Sequence, residues 1–258
     1  MFAVERQKEI MDLLKEKEAV RISELTGRFS VSVETIRRDL LELEKQNFLK
    51  RVHGGALRIP RGGEYPARQE RTQRNRERKE ELVRYARGMV RENDTIMVDC
   101  GSTAVEFARM LAENFERLTV ITNSLEVFET LRVREQYELF LCAGFFLHRE
   151  NAFYGAWALE ALDHFHAATA FLFPSAISIQ YGIMDYDKDL YPVQKKMIER
   201  SAAAVFLADS GKFEKSGLLK LADLGEGCCI VSDSGLRDEI RELYRENGIR
   251  IISGRKEL

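Results

Sequence analysis

Hydrophobic residues near the N-terminus recur at helical spacing before giving way to short alternating runs. The spacing predicts a first helix over residues 5–17. The segment VRISELTGRF predicts a short second helix with Ser23 as its N-cap. A third helix is predicted from a Ser32 cap to near Asn47, because four apolar side chains share one face at i, i+3, i+7 and i+10. These four residues are Val33, Ile36, Leu40 and Leu43.

A hairpin and a polar segment follow the helices. The sequence FLKRVHGGALRI predicts two short strands around the turn Gly54-Gly55. Three helices and such a hairpin predict a winged helix-turn-helix domain over residues 1–58. Residues 59–78 lack hydrophobic periodicity and hold two of the four prolines. They are predicted to be a linker that becomes helical towards Lys79.

In the rest of the chain, residues 79–258, the hydrophobic period alternates between two and 3.6. Strands are predicted at 95–99, 118–122, 138–144, 169–176, 204–210, 229–233 and 249–253. Helices are predicted at about 103–114, 124–132, 157–165, 193–204 and 236–247. Buried strands separated by helices are typical of a mainly parallel sheet, so residues 79–258 are predicted to be a Rossmann-like α/β domain.

Composition agrees with two globular domains. The chain has 258 residues, of which 45% are hydrophobic and 32% are charged. Because no apolar run approaches the roughly 18 residues of a membrane span, and no export signal is recognisable, we expect a cytoplasmic protein with no membrane partner. The four cysteines form no Cys-x-x-Cys pair and are expected to be reduced.

The formal net charge of -2 hides an asymmetry between the two parts of the chain. Residues 1–78 carry 18 Lys and Arg against 13 Asp and Glu, a net charge of +5. Residues 79–258 carry 22 against 29, a net charge of -7. The N-terminal part is therefore suited to a polyanion.

Two adjacent arginines lie on the polar side of the third predicted helix. On a wheel of about 100° per residue, Arg38 falls nearly opposite the apolar stripe, with Thr35 and Arg37 on its flanks. Solvation is the usual role of such charges, but the third helix of a helix-turn-helix lies in the DNA major groove. A guanidinium can bind a guanine edge or clamp a phosphate. The wing adds four groups within reach of phosphates, Lys50, Arg51, His53 and Arg58.

Polar residues follow three of the predicted strands in the C-terminal part. Asp99-Cys100-Gly101-Ser102-Thr103 joins a strand to a helix, where backbone N–H groups and the helix dipole favour a phosphate. A simple helix cap is the alternative. Thr122-Asn123 and the segment Asp209-Ser210-Gly211-Lys212 are expected at the same carboxyl edge of the sheet, where open α/β sheets bind ligands. Lys212 would balance a phosphate there, or be solvated in a loop.

The stretch VSVETIRRDLLELEKQNFLKRVHGGA, with ISELTGRF before it, resembles the DNA-binding signature of the DeoR family of bacterial transcriptional regulators. The segments DCGSTAVEFA, VITNSLEV and LADSGKF resemble the family's sensor domain, which is related in fold to sugar-phosphate isomerases. The resemblance implies operator contacts by Thr35, Arg37 and Arg38 and a wing shaped by His53, Gly54 and Gly55. It also implies a phosphorylated sugar or related metabolite as effector.

Two sets of candidate site residues follow. The DNA-binding set is Ser32, Glu34, Thr35, Arg37, Arg38, Lys50, Arg51, His53, Gly54 and Gly55. The effector-binding set is Asp99, Gly101, Ser102, Thr103, Thr122, Asn123, Lys195, Asp209 and Lys212. No catalytic residue, metal site or cofactor is expected, since the histidines lack a ligand spacing.

The chain departs from the family pattern around the predicted pocket. Ala143 and Phe145 stand in a segment that usually begins with a glycine pair and a polar residue. Phe173-Pro174-Ser175-Ala176 stands where the family reads like Gly-x-Ser-Gly. Leu190 and Gln194 replace an acidic and a basic residue, which leaves Lys195 as the retained cation. These changes predict a smaller and less polar pocket.

A metabolite-controlled repressor that is not an enzyme, and that forms a homodimer or higher oligomer on two half-sites, is the leading hypothesis. One alternative is a sugar-phosphate isomerase or deaminase with a DNA-binding head, in which Asp99, Asp209 and Lys212 would do acid–base work. Another is a regulator whose sensor domain serves only for dimerisation.

Overall fold

The computed structural model describes residues 3–17, 19–45, 49–52, 54–58, 68–225 and 228–254. It divides into two compact units, Met1–Tyr65 and Pro66–Leu258. The boundary between the units falls inside the predicted linker. No helix within the described ranges combines the length and the apolar character needed to cross a membrane.

The described part of the N-terminal unit consists of α1 (Ala3–Lys17), β1 (Ala19–Arg21), α2 (Ile22–Phe29), α3 (Val33–Lys45), β2 (Leu49–Val52) and β3 (Gly55–Arg58). The strands form an antiparallel sheet of order β1-β3-β2. Side chains that are at most 5% exposed form the core, among them Ile10, Leu13, Leu14, Leu25, Ile36, Leu40, Leu43 and Leu49. This architecture confirms the winged helix-turn-helix.

The structure corrects three details of this unit. Hydrophobic alternation does not predict β1, because a three-residue strand with one buried side chain is defined by its pairing with β3. Ser23 is not an N-cap, since α2 already begins at Ile22. Val33 is 45% exposed and leaves the predicted stripe. Ser32 is confirmed as the cap of α3, because its Oγ accepts the Thr35 N–H at 3.3 Å.

The tip of the wing requires both of its glycines. Gly54 has a φ of +83°, in the left-handed region that favours glycine. A Cβ on Gly55 would lie 2.1 Å from the Val20 carbonyl oxygen, which belongs to β1. Only glycine therefore lets β1 and β3 approach this closely.

The second unit alternates strands and helices. Its helices are α4 (Arg68–Gln73), α5 (Arg76–Ala86), α6 (Ser102–Asn114), α7 (Leu125–Leu131), α8 (Ala156–Asp163), α9 (Tyr191–Glu199) and α10 (Asp238–Glu246). Its first strands are β4 (Thr95–Val98), β5 (Thr119–Thr122), β6 (Glu138–Leu141), β7 (Phe145–Leu147), β8 (Ala152–Tyr154) and β9 (Ala167–Leu172). The remaining ones are β10 (Ala176–Ser178), β11 (Gly182–Asp185), β12 (Ser201–Leu207), β13 (Leu219–Ala222), β14 (Cys229–Val231) and β15 (Arg250–Ile252).

Seven of these strands form one parallel sheet of order β15-β14-β12-β9-β4-β5-β6. Apolar side chains pack on both faces, around Phe107 and Phe171 on one side and around Leu172 and Phe206 on the other. The chain runs from β4 to β5 on one side and later returns to the other side of β4 as β9. This reversal places a topological switch point at the carboxyl ends of β4 and β9. The α/β prediction is confirmed.

Two smaller sheets go beyond the predicted elements. β7 and β8 form a hairpin, and β10, β11 and β13 form an antiparallel sheet. The predicted helix 193–204 is also too long, because α9 ends at Glu199 and β12 begins at Ser201. Ala203 pairs with Thr169 of β9, so sheet pairing overrides the helix propensity of the alanines.

Residues 68–78, predicted as the second half of the linker, form α4 and the start of α5. Arg68 and Arg71 of α4 are buried, at 8% and 7% exposure. The absence of hydrophobic periodicity in this segment has a physical reason, since ion pairs rather than apolar side chains attach α4 to the second unit. In contrast, α5 packs Leu82 and Val83 into the main core.

Candidate functional site

The polar face of α3 presents charges to solvent. The side chains of Glu34 and Arg37 are 83% and 58% exposed, and their Oε2 and Nη1 atoms lie 3.5 Å apart. Arg38 and Ser32 are exposed as well, and Thr35 is half-buried. An exposed pair at this distance contributes little to stability, so Arg37 can exchange its partner for a phosphate or a base.

A buried ion pair anchors α3 from its opposite side. Arg6 of α1 and Asp39 of α3 are 6% and 4% exposed, and Arg6 Nε donates to Asp39 Oδ2 at 2.5 Å. Arg6 Nη2 and Gln7 Nε2 donate to Asp39 Oδ1 at 3.2 and 3.3 Å. Because Asp39 directly follows Arg38, this network fixes the rotation of the helix that carries the arginines. The sequence signal for this buried pair was Asp39 itself, an acidic residue three positions after Ile36 that falls on the side of the helix with the apolar stripe.

The wing carries fewer described cations than predicted. Arg51 is engaged within its own unit, since its Nε and its backbone N–H donate to the Glu44 carboxylate at 2.7 and 2.8 Å. His53 and the side chains of Lys50 and Arg58 lie outside the described residues. Arg51 would therefore have to release Glu44 before its side chain could bind a phosphate.

In the second unit, predicted residues lie at the carboxyl ends of three strands of the parallel sheet, two of them adjacent and the third separated from them by β9. Asp99 follows β4, Asn123 follows β5 and Asp209 follows β12, and all three are at most 4% exposed. Thr122 serves the backbone here, because its hydroxyl donates to the Val98 carbonyl at 2.6 Å and accepts the Ser124 N–H at 3.0 Å. This contact holds the ends of β4 and β5 together.

The first turn of α6 lies directly after Asp99. Gly101 adopts a φ of +140° and leads into Ser102 and Thr103, which are 9% and 8% exposed. No described side chain caps this helix. Its first N–H groups are therefore available to an anion, as the phosphate prediction requires.

Asp99 is part of a buried polar chain. Gln194 of α9 donates from Nε2 to Asp99 Oδ2 and to Asp185 Oδ2, each at 2.9 Å. Ser175 donates to the other oxygen of Asp185 at 2.6 Å. Burial raises the pKa of Asp99 to about 7; the hydrogen bond from Gln194 opposes this shift and the charge of Asp185 adds to it.

Two lysines, Lys212 and Lys79, lie near Asp209 at the end of β12. Asn75 donates to Asp209 Oδ1 at 3.1 Å, and the Gly211 N–H donates to the same atom at 3.0 Å. Burial lowers the pKa of Lys212, with the charge of Asp209 opposing that shift. Burial likewise lowers the pKa of Lys79 to about 8, with Asp209 opposing it and Lys212 adding to it. Ammonium groups whose charged form is disfavoured by burial suit an anionic ligand.

Helix α4 contributes two further arginines above this edge. Arg68 forms an ion pair with Glu126, and Arg71 Nη2 contacts both oxygens of Glu150 at 2.5 Å. Lys79 donates to the Arg71 carbonyl oxygen. The segment predicted as a linker therefore supplies Arg71 and Asn75 to the surroundings of the candidate site, and Lys79 follows directly after it.

Two residues singled out around the pocket have other contacts in the structure. Lys195, predicted as the retained cation, donates from Nζ to the Leu221 carbonyl of β13 at 3.2 Å. Phe145 does not fill the pocket, since it is 61% exposed and stacks on Trp157 with ring centroids 5.9 Å apart. Gln194, Asp185 and Ser175 instead make the site polar.

Sequence reasoning also missed Gln194, Asp185, Asn75 and Lys79 as site residues. Gln194 was recognised only as a departure from the family pattern. Asp185 ends β11, a strand whose hydrophobic pattern was too short to predict. Asn75 and Lys79 lay in or beside a segment without periodicity, so only the packing of α4 and α5 brings them to the sheet edge.

Comparison with known protein families gives two matches that together span most of the chain. Residues 6–61 match the DeoR-like helix-turn-helix domain. Residues 74–234 match the DeoR C terminal sensor domain.

Similar full-length proteins are transcriptional regulators by name. The uncharacterized HTH-type transcriptional regulator YulB of Bacillus subtilis (strain 168) is 33% identical over 92% of this chain and 91% of its own length. The transcriptional repressor AccR of Agrobacterium fabrum is 32% identical over 93% of both chains. The glycerol-3-phosphate regulon repressor of Escherichia coli (strain K12) is 27% identical over 97% of this chain and 99% of its own.

Among solved structures, ribose 5-phosphate isomerase A from Methanocaldococcus jannaschii overlaps with 54% of this chain and 55% of its own length. The TM-score is 0.40 and the sequence identity is 18%.

Proposed function

The chain belongs to the DeoR family of transcriptional regulators, and we propose that it represses genes of carbohydrate metabolism under the control of a phosphorylated sugar or related metabolite. The winged helix-turn-helix binds a double-stranded operator. The α/β unit binds the metabolite. Binding of the metabolite changes repression if the metabolite has different affinities for the DNA-competent and the DNA-incompetent arrangement of the protein.

The DNA-binding role rests on the two sides of α3. Ile36 and Leu40 are at most 1% exposed, while Arg37 and Arg38 face solvent. The Arg6–Asp39 pair holds the helix in this rotation. Arg38 is the candidate for a guanine contact, and Arg37 for a base or a phosphate. Thr35 and Ser32 lie at the N-terminal end of the helix, the end that contacts base edges in helix-turn-helix proteins.

The effector-binding role rests on one observation: the N-terminus of α6, which no described side chain caps, and two lysines, buried Lys79 and half-buried Lys212, lie at one sheet edge. The N–H groups of Ser102 and Thr103 would bind the phosphate, with Lys212 and Lys79 balancing its charge. A phosphorylated ligand agrees with the name of one relative, the glycerol-3-phosphate regulon repressor. Asp99 and Asn123 would bind the remainder of the ligand.

The structure also offers a route from effector to DNA. Arg71, Asn75 and Lys79, which surround the candidate phosphate position, belong to the segment that follows the DNA-binding unit in sequence. We propose that ligand binding reorganises the contacts of this segment and thereby changes the spacing of two DNA-binding units in a homodimer. Two half-sites about one helical turn apart would be the matching operator.

We infer that the chain is not an enzyme. Similar full-length proteins are transcriptional regulators by name, and the Asp209 carboxylate accepts from Asn75 and Gly211. Assays of sugar-phosphate isomerisation and deamination should therefore show no turnover above background. Turnover that Asp209→Asn abolishes would overturn this inference.

The test of the regulatory function is a gel-shift titration with DNA from the protein's own upstream region. The wild-type chain should bind this DNA specifically, and a panel of sugar phosphates should contain compounds that change its affinity. Arg38→Ala should lose specific binding, while Arg109→Ala, an exposed arginine of the α/β unit, should bind like the wild type. Specific binding that survives in Arg38→Ala would contradict the assigned DNA face.

A further inference from the structure

Three buried oxygen atoms at the effector site have no hydrogen-bond partner within the described part of the chain. They are Asp99 Oδ1, Asn123 Oδ1 and Gln194 Oε1. Their side chains belong to residues that are at most 2% exposed. Unpartnered acceptors at this depth each cost about 1–3 kcal/mol, which makes them uncommon without a functional reason.

The orientation of both amides follows from their other contacts. Gln194 Nε2 donates to two carboxylates, Asp99 and Asp185, so turning the amide would place its oxygen against two anions. Asn123 Nδ2 donates to the Phe153 carbonyl oxygen at 3.1 Å, and turning that amide would oppose two acceptors. The unpartnered atoms of Gln194 and Asn123 are therefore oxygens.

The three acceptors lie together. Val98 pairs with Thr122 in the parallel sheet, so Asp99 and Asn123 are the next residues at two adjacent strand ends. Gln194 is in direct contact with Asp99. The thiol and N–H of Cys100 act on the Asp99 carboxylate and lower its pKa, but neither forms a hydrogen bond of standard geometry with Oδ1.

This cluster differs in chemistry from the candidate phosphate position. The first turn of α6, Lys212 and Lys79 offer donors and positive charge, whereas the cluster of Asp99, Asn123 and Gln194 offers only acceptors. A ligand that satisfies both must carry an anion at one end and hydrogen-bond donors at the other. Hydroxyl groups along a carbon chain are such donors.

We propose that Asp99, Asn123 and Gln194 select a phosphorylated polyol or sugar that presents hydroxyl groups opposite its phosphate, and that they exclude the corresponding phosphorylated acid. This proposal deepens the proposed function and rests on it. A terminal carboxylate would bring further acceptors and a second negative charge to the buried carboxylates of Asp99 and Asp185. A hydroxymethyl group at the same position would instead donate to an unpartnered oxygen.

The test compares ligand pairs that differ only at the carbon farthest from the phosphate. Suitable pairs are glycerol 3-phosphate with 3-phosphoglycerate, ribitol 5-phosphate with 5-phosphoribonate, and glucitol 6-phosphate with 6-phosphogluconate. Calorimetric titration of the full chain at pH 8, where Asp99 is charged, gives the dissociation constants. For the chain length that fits, the alcohol should bind at least about 100-fold more tightly than the acid, because the acid leaves buried acceptors unpaired.

Variants separate this proposal from the phosphate site. Asp99→Asn offers an amide N–H₂ group in place of a carboxylate oxygen, so the ratio of the affinity for the alcohol to that for the acid should fall at least about tenfold. Lys212→Gln should weaken both members of a pair alike. Asp163→Asn, which removes an exposed carboxylate of the same unit, should change neither the ratio nor the affinities.

The outcomes are distinguishable. If inorganic phosphate binds but each acid binds as tightly as its alcohol, or no pair member binds better than inorganic phosphate, the selection of hydroxyl groups is refuted and the phosphate site stands. If inorganic phosphate and all six compounds fail to bind, the effector site of the proposed function is refuted as well. The comparison within the wild-type chain decides the matter even if Asp99→Asn does not fold.

Discussion

The two units treat charged and polar groups in opposite ways. On α3 of the N-terminal unit, the groups proposed for function are exposed, and the buried Arg6–Asp39 pair is structural. In the α/β unit, the groups proposed for function are buried, and many exposed charges only pair with neighbours on the same helix. A long polyanion can be bound by an open surface, whereas a small metabolite must be surrounded and its polar groups matched one by one.

This difference has an energetic side. Exposed arginines change the free energy of folding very little, so their number and positions can be those that DNA binding requires. Unpartnered buried acceptors and desolvated ammonium groups destabilise the unliganded fold, so their presence indicates what the site is built to bind.

The largest expected effect comes from breaking the structural pair. Asp39→Ala should lower the free energy of unfolding of the N-terminal unit by about 3–5 kcal/mol, because it leaves Arg6 charged and buried without its main partner. Urea unfolding followed by circular dichroism should show an early transition that the wild type lacks. Glu34→Ala, which removes the exposed partner of Arg37, is the matched control and should change the value by less than about 0.5 kcal/mol. Equal effects of the two variants would contradict the contrast between buried and exposed pairs.

The next effect concerns the dependence of stability on pH. Asp99 has an ordinary pKa near 3.8 that burial raises to about 7 in the fold. The folded state therefore holds its proton more tightly than the unfolded state, and the associated stability is present below pH 4 and lost as the pH rises to about 7. The loss is at most about 1.4 kcal/mol per pH unit. The melting temperature of Asp99→Asn, which lacks this titrating group, should fall less steeply with pH over the same range than that of the wild type. Parallel plots of melting temperature against pH for the two proteins would exclude a raised pKa of Asp99.

A smaller effect is expected on the DNA face. Arg38→Ala should weaken specific operator binding by about 1–3 kcal/mol per lost base contact and leave binding to unrelated DNA nearly unchanged. Competition gel shifts with operator and random DNA measure both quantities. If the two affinities fall in parallel, Arg38 contacts phosphate rather than a base.

The smallest effect is expected in the wing. Lys50→Ala should weaken binding to all sequences alike and reduce the slope of log K against log salt by about one unit. Arg51→Ala should reduce it less, because Arg51 must first leave Glu44. A larger change for Arg51 than for Lys50 would show that the contact with Glu44 does not compete with DNA.

The sequence predicted the parts of both sites that depend on local pattern. The stripe of Ile36, Leu40 and Leu43 gave the rotation of α3 and hence the exposure of Arg38. The runs after β4, β5 and β12 gave the gathering of Asp99, Asn123 and Asp209. Hydrophobic periodicity does not reveal the roles of residues whose partners lie far away in the sequence, such as Asp39, Gln194 and Asn75.

The sequence by itself determined the order of the main helices and of the seven strands of the parallel sheet, the family, and the residues that follow β4, β5 and β12, because these follow from spacing and neighbouring residue types. Only the tertiary structure decided that α4 belongs to the effector unit, that Gln194 rather than Lys195 meets Asp99, and that Phe145 faces solvent. Each of these depends on which side chains, far apart along the chain, are brought within a few ångströms of one another, and on what burial then does to their charge and their hydrogen bonds.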